Sequence, residues 1–114
     1  MTNYSLPLDT VFHALADPTR RAVVRRLGRG DAAVTDLAAP FDMALSSFMK
    51  HLRVLEEGGL VRSEKAGRVR TCALVPEAFS LAQTWMDEQR SLWEGRTDHL
   101  AAYVETLAAK EMEK

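Results

Sequence analysis

Between positions 46 and 70 the chain concentrates side chains able to grip a polyanion. Ser46, Ser47, Lys50 and Arg53 come first; Arg62, Lys65, Arg68 and Arg70 follow within nine residues, opposed only by Glu64. Hydroxyl and ammonium groups donate to phosphate oxygens, and the arginine fork holds two acceptors on a guanine edge together. Neither set is diagnostic alone. Every surface helix has a polar face, and Lys and Arg commonly keep an exposed edge strand soluble. Other chemistries find less support. There is no glycine-rich phosphate loop, no Ser/His/Asp set in a plausible context and no evident pair of carboxylates, so neither an enzyme nor a cofactor is expected. Asp98 and His99 are adjacent and diverge by about 100° on a helix, too few and too divergent for a zinc ion that needs three or four ligands. No metal site is expected, with His13 and His99 across a dimer the remaining combination. Cys72, the single cysteine, reads as a buried small hydrophobe, or as a redox switch if exposed beside Arg68 and Arg70.

These groups must be positioned by secondary structure. Leu8, Val11, Phe12 and Leu15 have the i, i+3, i+4, i+7 spacing of one helix face. Asp17-Pro18 starts a second helix through Leu27, with Asp as cap and Pro at the first position; Gly28 and Gly30 end it through left-handed geometry. Thr35 is the expected cap of a short third helix containing Leu37 and Ala38, closed by Pro40, and Phe41-Asp42-Met43 forms a turn. A fourth helix spans about 45–57 and stops at Gly58-Gly59. On its wheel Leu45, Phe48, Leu52 and Leu55 cluster within about 80°. Ser46, Lys50, Arg53 and Glu57 lie opposite, with Ser47 and Met49 flanking. From Leu60 to Leu74 the period changes to that of a β-hairpin around Ala66-Gly67.

Val75-Pro76-Glu77 opens a last helix, expected over about 76–110. Met86, Trp93, Leu100 and Leu107 recur every seven residues, and Trp85 and Tyr103 widen the stripe. Such a stripe either packs within its own chain or forms a dimer interface; its large aromatics along the full length favour the dimer. A short helix, a tight turn, a second amphipathic helix and a hairpin together make a winged helix-turn-helix. The expected fold is therefore mainly α with a small β-hairpin and a long C-terminal dimerisation helix. The basic hairpin is its wing, over about 60–75, and residues 1–114 form a single domain.

The composition fits. The chain has 114 residues, 46% of them hydrophobic, and a net charge of −1. That average hides a division: residues 1–75 carry 11 Lys/Arg against 8 Asp/Glu, and residues 76–114 carry 4 against 8. A basic portion meeting a polyanion accounts for it. No run of about 18–20 apolar residues and no signal-peptide pattern is present, so a soluble, cytoplasmic protein without membrane contact is expected.

Two runs go further. Ala14-Leu15-Ala16-Asp17-Pro18-Thr19-Arg20-Arg21 and Lys50-His51-Leu52-Arg53-Val54-Leu55-Glu56-Glu57-Gly58-Gly59-Leu60-Val61 closely resemble the ArsR family of winged-helix regulators over roughly residues 8–75. The tail, with Trp85 and Trp93, resembles a metal-free branch. The resemblance implies a homodimer paired through its first and last helices, placing Leu8, Phe12, Trp85, Trp93, Leu100, Tyr103 and Leu107 at the interface. It implies repression from a palindromic double-stranded operator, with DNA contacts at Ser46, Ser47, Lys50, Arg53, Arg68 and Arg70. His51 matches the family histidine, as a phosphate contact or a packing edge. Which small-molecule effector acts, if any, is not given by the resemblance. Ala44 departs from the Ser or Thr that many relatives place before the recognition helix, so Asp42 becomes the alternative cap. A metal- or thiol-responsive repressor and a protein-binding winged helix are the alternative readings. The basic wing speaks against the latter.

Overall fold

A computed structural model describes residues 5–112, with side chains described for residues 8–96 and 99–111. The order is α1 (Ser5–Leu15), α2 (Pro18–Leu27), β1 (Ala32–Ala33), α3 (Val34–Ala38), α4 (Leu45–Glu57), β2 (Val61–Ala66), β3 (Val69–Leu74) and α5 (Pro76–Met112). The chain divides into two compact units, one ending at Ala82 and the other starting at Gln83.

The junction between α1 and α2 explains the Asp-Pro-Thr-Arg-Arg run. The Asp17 carboxylate accepts the Arg20 backbone N–H at 3.0 Å, capping α2 ahead of Pro18. That hydrogen bond is the main reason the Asp17 carboxyl titrates below its usual range. A group depressed on folding stabilises the fold above its unfolded pKa, and the contribution is lost as pH falls through the folded value. The next two arginines serve α1. Arg20 donates to the carbonyls of Ala14 (2.7 Å) and His13 (3.0 Å), and Arg21 to that of Leu15 (2.9 Å). The last turn of α1 thereby finds partners for carbonyls its own helix leaves open.

Phe48, Leu52 and Leu55 of α4 are fully buried, among Val11 and Ala14 of α1 and Val23 of α2. The expected stripe thus holds, except at its start. Leu45 is 56% exposed, because periodicity fixes a face but not where along the helix the neighbouring elements end. Phe41 pins the turn between α3 and α4, its ring centroid 5.7 Å from that of Phe48. Ala44, not Asp42, is the N-cap of α4, extended at φ −63° and ψ 147° and without a side-chain cap. Ser fits this conformation, so Ala44→Ser is expected to raise unfolding stability by about 1 kcal/mol in a denaturant titration.

Helix α4 stops at Gly58-Gly59, where Gly58 is right-handed (φ −74°) and Gly59 (φ +77°) supplies the left-handed turn. Gly58 is needed for space: a Cβ there would lie 2.9 Å from the Thr10 carbonyl oxygen and 3.1 Å from the Ala14 Cβ. Gly58→Ala should therefore push α1 from α4 and destabilise by about 1–3 kcal/mol, read as a lowered unfolding midpoint. Two expectations need correction: Gly28, expected in left-handed geometry, is right-handed, and only Gly30 carries the positive φ after α2. Finally, α3 begins at Val34, one residue before the expected cap Thr35, because Ala32 and Ala33 are held in a strand immediately ahead of it.

That strand completes a three-stranded antiparallel sheet in the order β1-β3-β2. The hairpin expected from sequence is present, with Val61 opposite Leu74 and Ala66 opposite Val69. Gly67 takes φ +63° at the first position of the two-residue turn, where a hairpin favours glycine. Ala32 and Ser63 flank Cys72 across the sheet. Cys72 is fully buried, and burial pushes its thiol pKa up, which opposes thiolate chemistry.

In the second unit α5 continues as helix to Met112. Every residue from Gln83 onward whose burial is described is exposed save half-buried Gly95. Among the described residues no helix is long and apolar enough to cross a membrane.

Candidate nucleic-acid interface

Helix α4 presents Ser46, Ser47, Lys50 and Arg53 as exposed side chains, opposite its buried stripe. Successive turns of one helix carry them. Arg68 is exposed in the turn after Gly67, and Arg70 is exposed on β3, facing Lys65 of β2 across the hairpin.

The two groups meet. Arg53 of α4 and Arg70 of β3 line one open concavity of about 290 Å3, with Met49, Glu56 and Glu57. A second groove of about 290 Å3 runs between the wing and the start of α3, lined by Thr35, Met49, Lys65, Arg68, Val69 and Arg70 among others. Met49 belongs to both. Its position flanking the outward face of α4 was visible from the wheel. The place of Thr35 in the groove was not, since it depends on the wing lying beside the start of α3.

The wing is also tied to α4 by hydrogen bonds. Arg70 donates to the Ser63 hydroxyl at 3.0 Å, and Ser63 donates to the Glu56 carboxylate at 3.0 Å. This relay orients Arg70 and leaves other guanidinium N–H groups for a ligand. Arg62 forms an exposed ion pair with Glu64 at 3.5 Å, worth little in stability.

His51 stands apart from its neighbours. It is half-buried, with Nδ1 3.3 Å from the Arg20 guanidinium and 3.6 Å from the Asp17 carboxylate.

Of the residues expected at a dimer interface, Leu8 and Phe12 are half-buried and pack against the core of the first unit. Trp85, Trp93, Leu100, Tyr103 and Leu107 are exposed on α5, Trp93 at 67% and Leu100 at 64%. His99 lines an open concavity with Trp93, Arg96, Leu100 and Tyr103. His13 is exposed on α1, and the side chain of Asp98 lies outside the described residues. Among the described residues no three His, Cys, Asp or Glu side chains come together as a metal-binding group.

Comparison with known proteins adds a second line of evidence. A helix-turn-helix domain family matches residues 15–64. The transcriptional regulator Rv2034 of Mycobacterium tuberculosis is 38% identical over 76% of this chain and 80% of its own length. The arsenical resistance operon repressor of Escherichia coli is 31% identical over 93% of this chain and 88% of its own. The crystal structure of an ArsR family transcriptional regulator, RHA00566, superposes with a TM-score of 0.78 at 56% identity, covering 82% of this chain and 97% of that one. The homodimeric winged helix-turn-helix DNA-binding domain Mb0332 of Mycobacterium bovis, solved in solution, matches at a TM-score of 0.59 and 26% identity, over 75% of this chain and 82% of that one.

Proposed function

The chain belongs to the ArsR family of helix-turn-helix transcriptional regulators, and we propose that it is a homodimeric repressor that binds a palindromic operator through α4 and the wing. One observation carries the reading. The polar face of α4 and the basic hairpin converge, with Arg53 and Arg70 lining one concavity. A helix alone with a Lys/Arg face is ordinary. A helix and a hairpin presenting cations around the same opening suit a duplex, whose groove takes the helix while its backbone passes the wing.

In this reading Ser46, Ser47, Lys50 and Arg53 enter the major groove from α4. Lys50 and Arg53 reach base edges, and the serines reach phosphates or bases. Arg68 and Arg70 hold the backbone beside the groove, and His51 meets a phosphate. Glu57, at the C-terminal end of α4, repels phosphate and so limits how much of the helix approaches the backbone. Repression follows the E. coli relative, itself an operon repressor.

The dimer reading starts from α5. An isolated helix of this length gains stability by burying its apolar stripe, and beyond Gln83 almost nothing is buried within the chain. A second copy supplies a matching stripe by symmetry, and the similar Mb0332 domain is itself homodimeric. Trp85, Trp93, Leu100, Tyr103 and Leu107 form the α5 part of the interface, and Leu8 and Phe12 form a contribution from α1. Two-fold symmetry then requires two half-sites, hence a palindrome. Residues 1–114 function as one winged helix-turn-helix domain in this arrangement, in solution in the cytoplasm.

Selection from a random duplex pool at about 0.15 M salt, where non-specific phosphate binding is already weakened, tests the reading. An enriched inverted repeat is expected. A pool that shows no enrichment contradicts it.

A further inference from the structure

His51 and Arg20 meet although they are 31 residues apart in sequence. The Arg20 guanidinium is not free to wander. Its Nε–H donates to the Ala14 carbonyl at 2.7 Å and one terminal nitrogen donates to the His13 carbonyl at 3.0 Å, leaving the other terminal nitrogen 3.3 Å from His51 Nδ1. A guanidinium has donors only. Its contact with Nδ1 is a hydrogen bond only if that nitrogen carries a lone pair.

Asp17 makes the opposite demand, since a carboxylate beside Nδ1 favours a proton there. Its Oδ2 is 3.6 Å away, outside hydrogen-bond distance, and the same oxygen already accepts the Arg20 backbone N–H at 3.0 Å. Distance therefore decides for Arg20. In a neutral imidazole the proton then resides on Nε2. Among the described residues no buried side-chain nitrogen or oxygen lacks a partner, and the contacts of His51 there are made through Nδ1, so Nε2 is not buried.

We propose that Arg20 is a positioning residue for DNA binding: held by the end of α1, it fixes His51 as the Nε2–H tautomer and so presents an N–H donor to a phosphate oxygen of the operator. The proposal rests on the reading that α4 faces DNA. The tautomer matters because the other one would turn a lone pair toward the phosphate oxygens, acceptor against acceptor. The Asp-Pro-Thr-Arg run thereby acts on the recognition helix as well as on the α1–α2 junction.

The test is long-range imidazole ¹H–¹⁵N correlation on the full chain, free of DNA, at a pH above the histidine titration. Wild-type His51 is expected to show a bare Nδ1 and a protonated Nε2. Asp17→Asn keeps a capping oxygen and removes the charge, and the same tautomer is expected there. Arg20→Met leaves Asp17 alone beside the ring and is expected to shift His51 toward Nδ1–H. Protonated Nδ1 in the wild type, loss of the Nε2–H pattern in Asp17→Asn, or an unchanged tautomer in folded Arg20→Met each overturns the proposal. Because Asp17→Asn retains the cap, the proposal stays testable even if Arg20→Met does not fold. On a selected operator the His51→Phe dimer should bind about a hundredfold more weakly, because a hydrogen bond to a charged partner is lost in each half-site. Unchanged affinity for His51→Phe, with Lys50→Ala/Arg53→Ala impaired, overturns the proposal alone. If both variants bind like the wild type, the reading of α4 fails with it.

Discussion

Replacing Lys50 and Arg53 together by Ala is expected to abolish operator recognition while leaving the fold intact. Both side chains are exposed and neither belongs to the buried stripe of α4, so circular dichroism and the unfolding midpoint should hardly change. A good side chain–base contact carries about 1–3 kcal/mol of discrimination, and a two-fold dimer loses each contact twice. Four lost contacts at the lower bound remove about 4 kcal/mol, roughly a thousandfold in affinity. That brings binding close to the level of random DNA. Anisotropy titrations on the selected operator and on random duplex check this. Retained operator affinity would place the base-reading surface elsewhere. The wing arginines should behave differently. In the proposed complex their contacts are to backbone, so their loss is expected to weaken binding to all sequences alike.

The second large effect concerns assembly. Trp93→Asp should convert the dimer to monomers. Trp93 is 67% exposed in the single chain, so Asp there leaves the protomer folded. In the proposed dimer the same position is covered, and a buried unpaired carboxylate costs several kcal/mol; by symmetry it is introduced twice. A rise of at least about a hundredfold in the dimer dissociation constant follows. Trp93→Phe keeps the apolar surface and should remain dimeric. Sedimentation velocity distinguishes the two. A dimer unaffected by Trp93→Asp would move the interface off this part of α5, and the geometry of the two half-sites would have to be built on another pairing.

What sequence alone revealed followed from local rules. Asp17-Pro18 announced the start of α2 because a cap and a fixed φ act on adjacent residues. The boundaries of α4 were legible from its apolar spacing and from Gly58-Gly59, and the hairpin from a change of period around Gly67. What escaped was set by distant neighbours. Two-residue β1 has no period to detect and exists only because β3 lies beside Ala32 and Ala33. The need for glycine at position 58 comes from Thr10 and Ala14 of α1, not from backbone hand. Leu45 shares the helical face of Phe48 but lies past the end of its cover. The candidate interface divided in the same way. The polar face of α4 and the basic wing could be read as two separate patterns. Their meeting at Arg53 and Arg70, and the contact between Arg20 and His51, required the fold.

The most direct measurement is fluorescence anisotropy of the wild-type protein on duplex DNA from upstream of its own gene against random duplex, at about 0.15 M salt, where non-specific binding is typically 10⁻⁴–10⁻⁶ M. Tight binding to the upstream duplex, at least about a thousandfold stronger than to random DNA, is the result expected of a dimer reading sequence through α4. Equal, weak binding to both duplexes would contradict an operator upstream of the protein's own gene, and the same result on every sequence recovered from the random pool would remove DNA as the ligand of this surface.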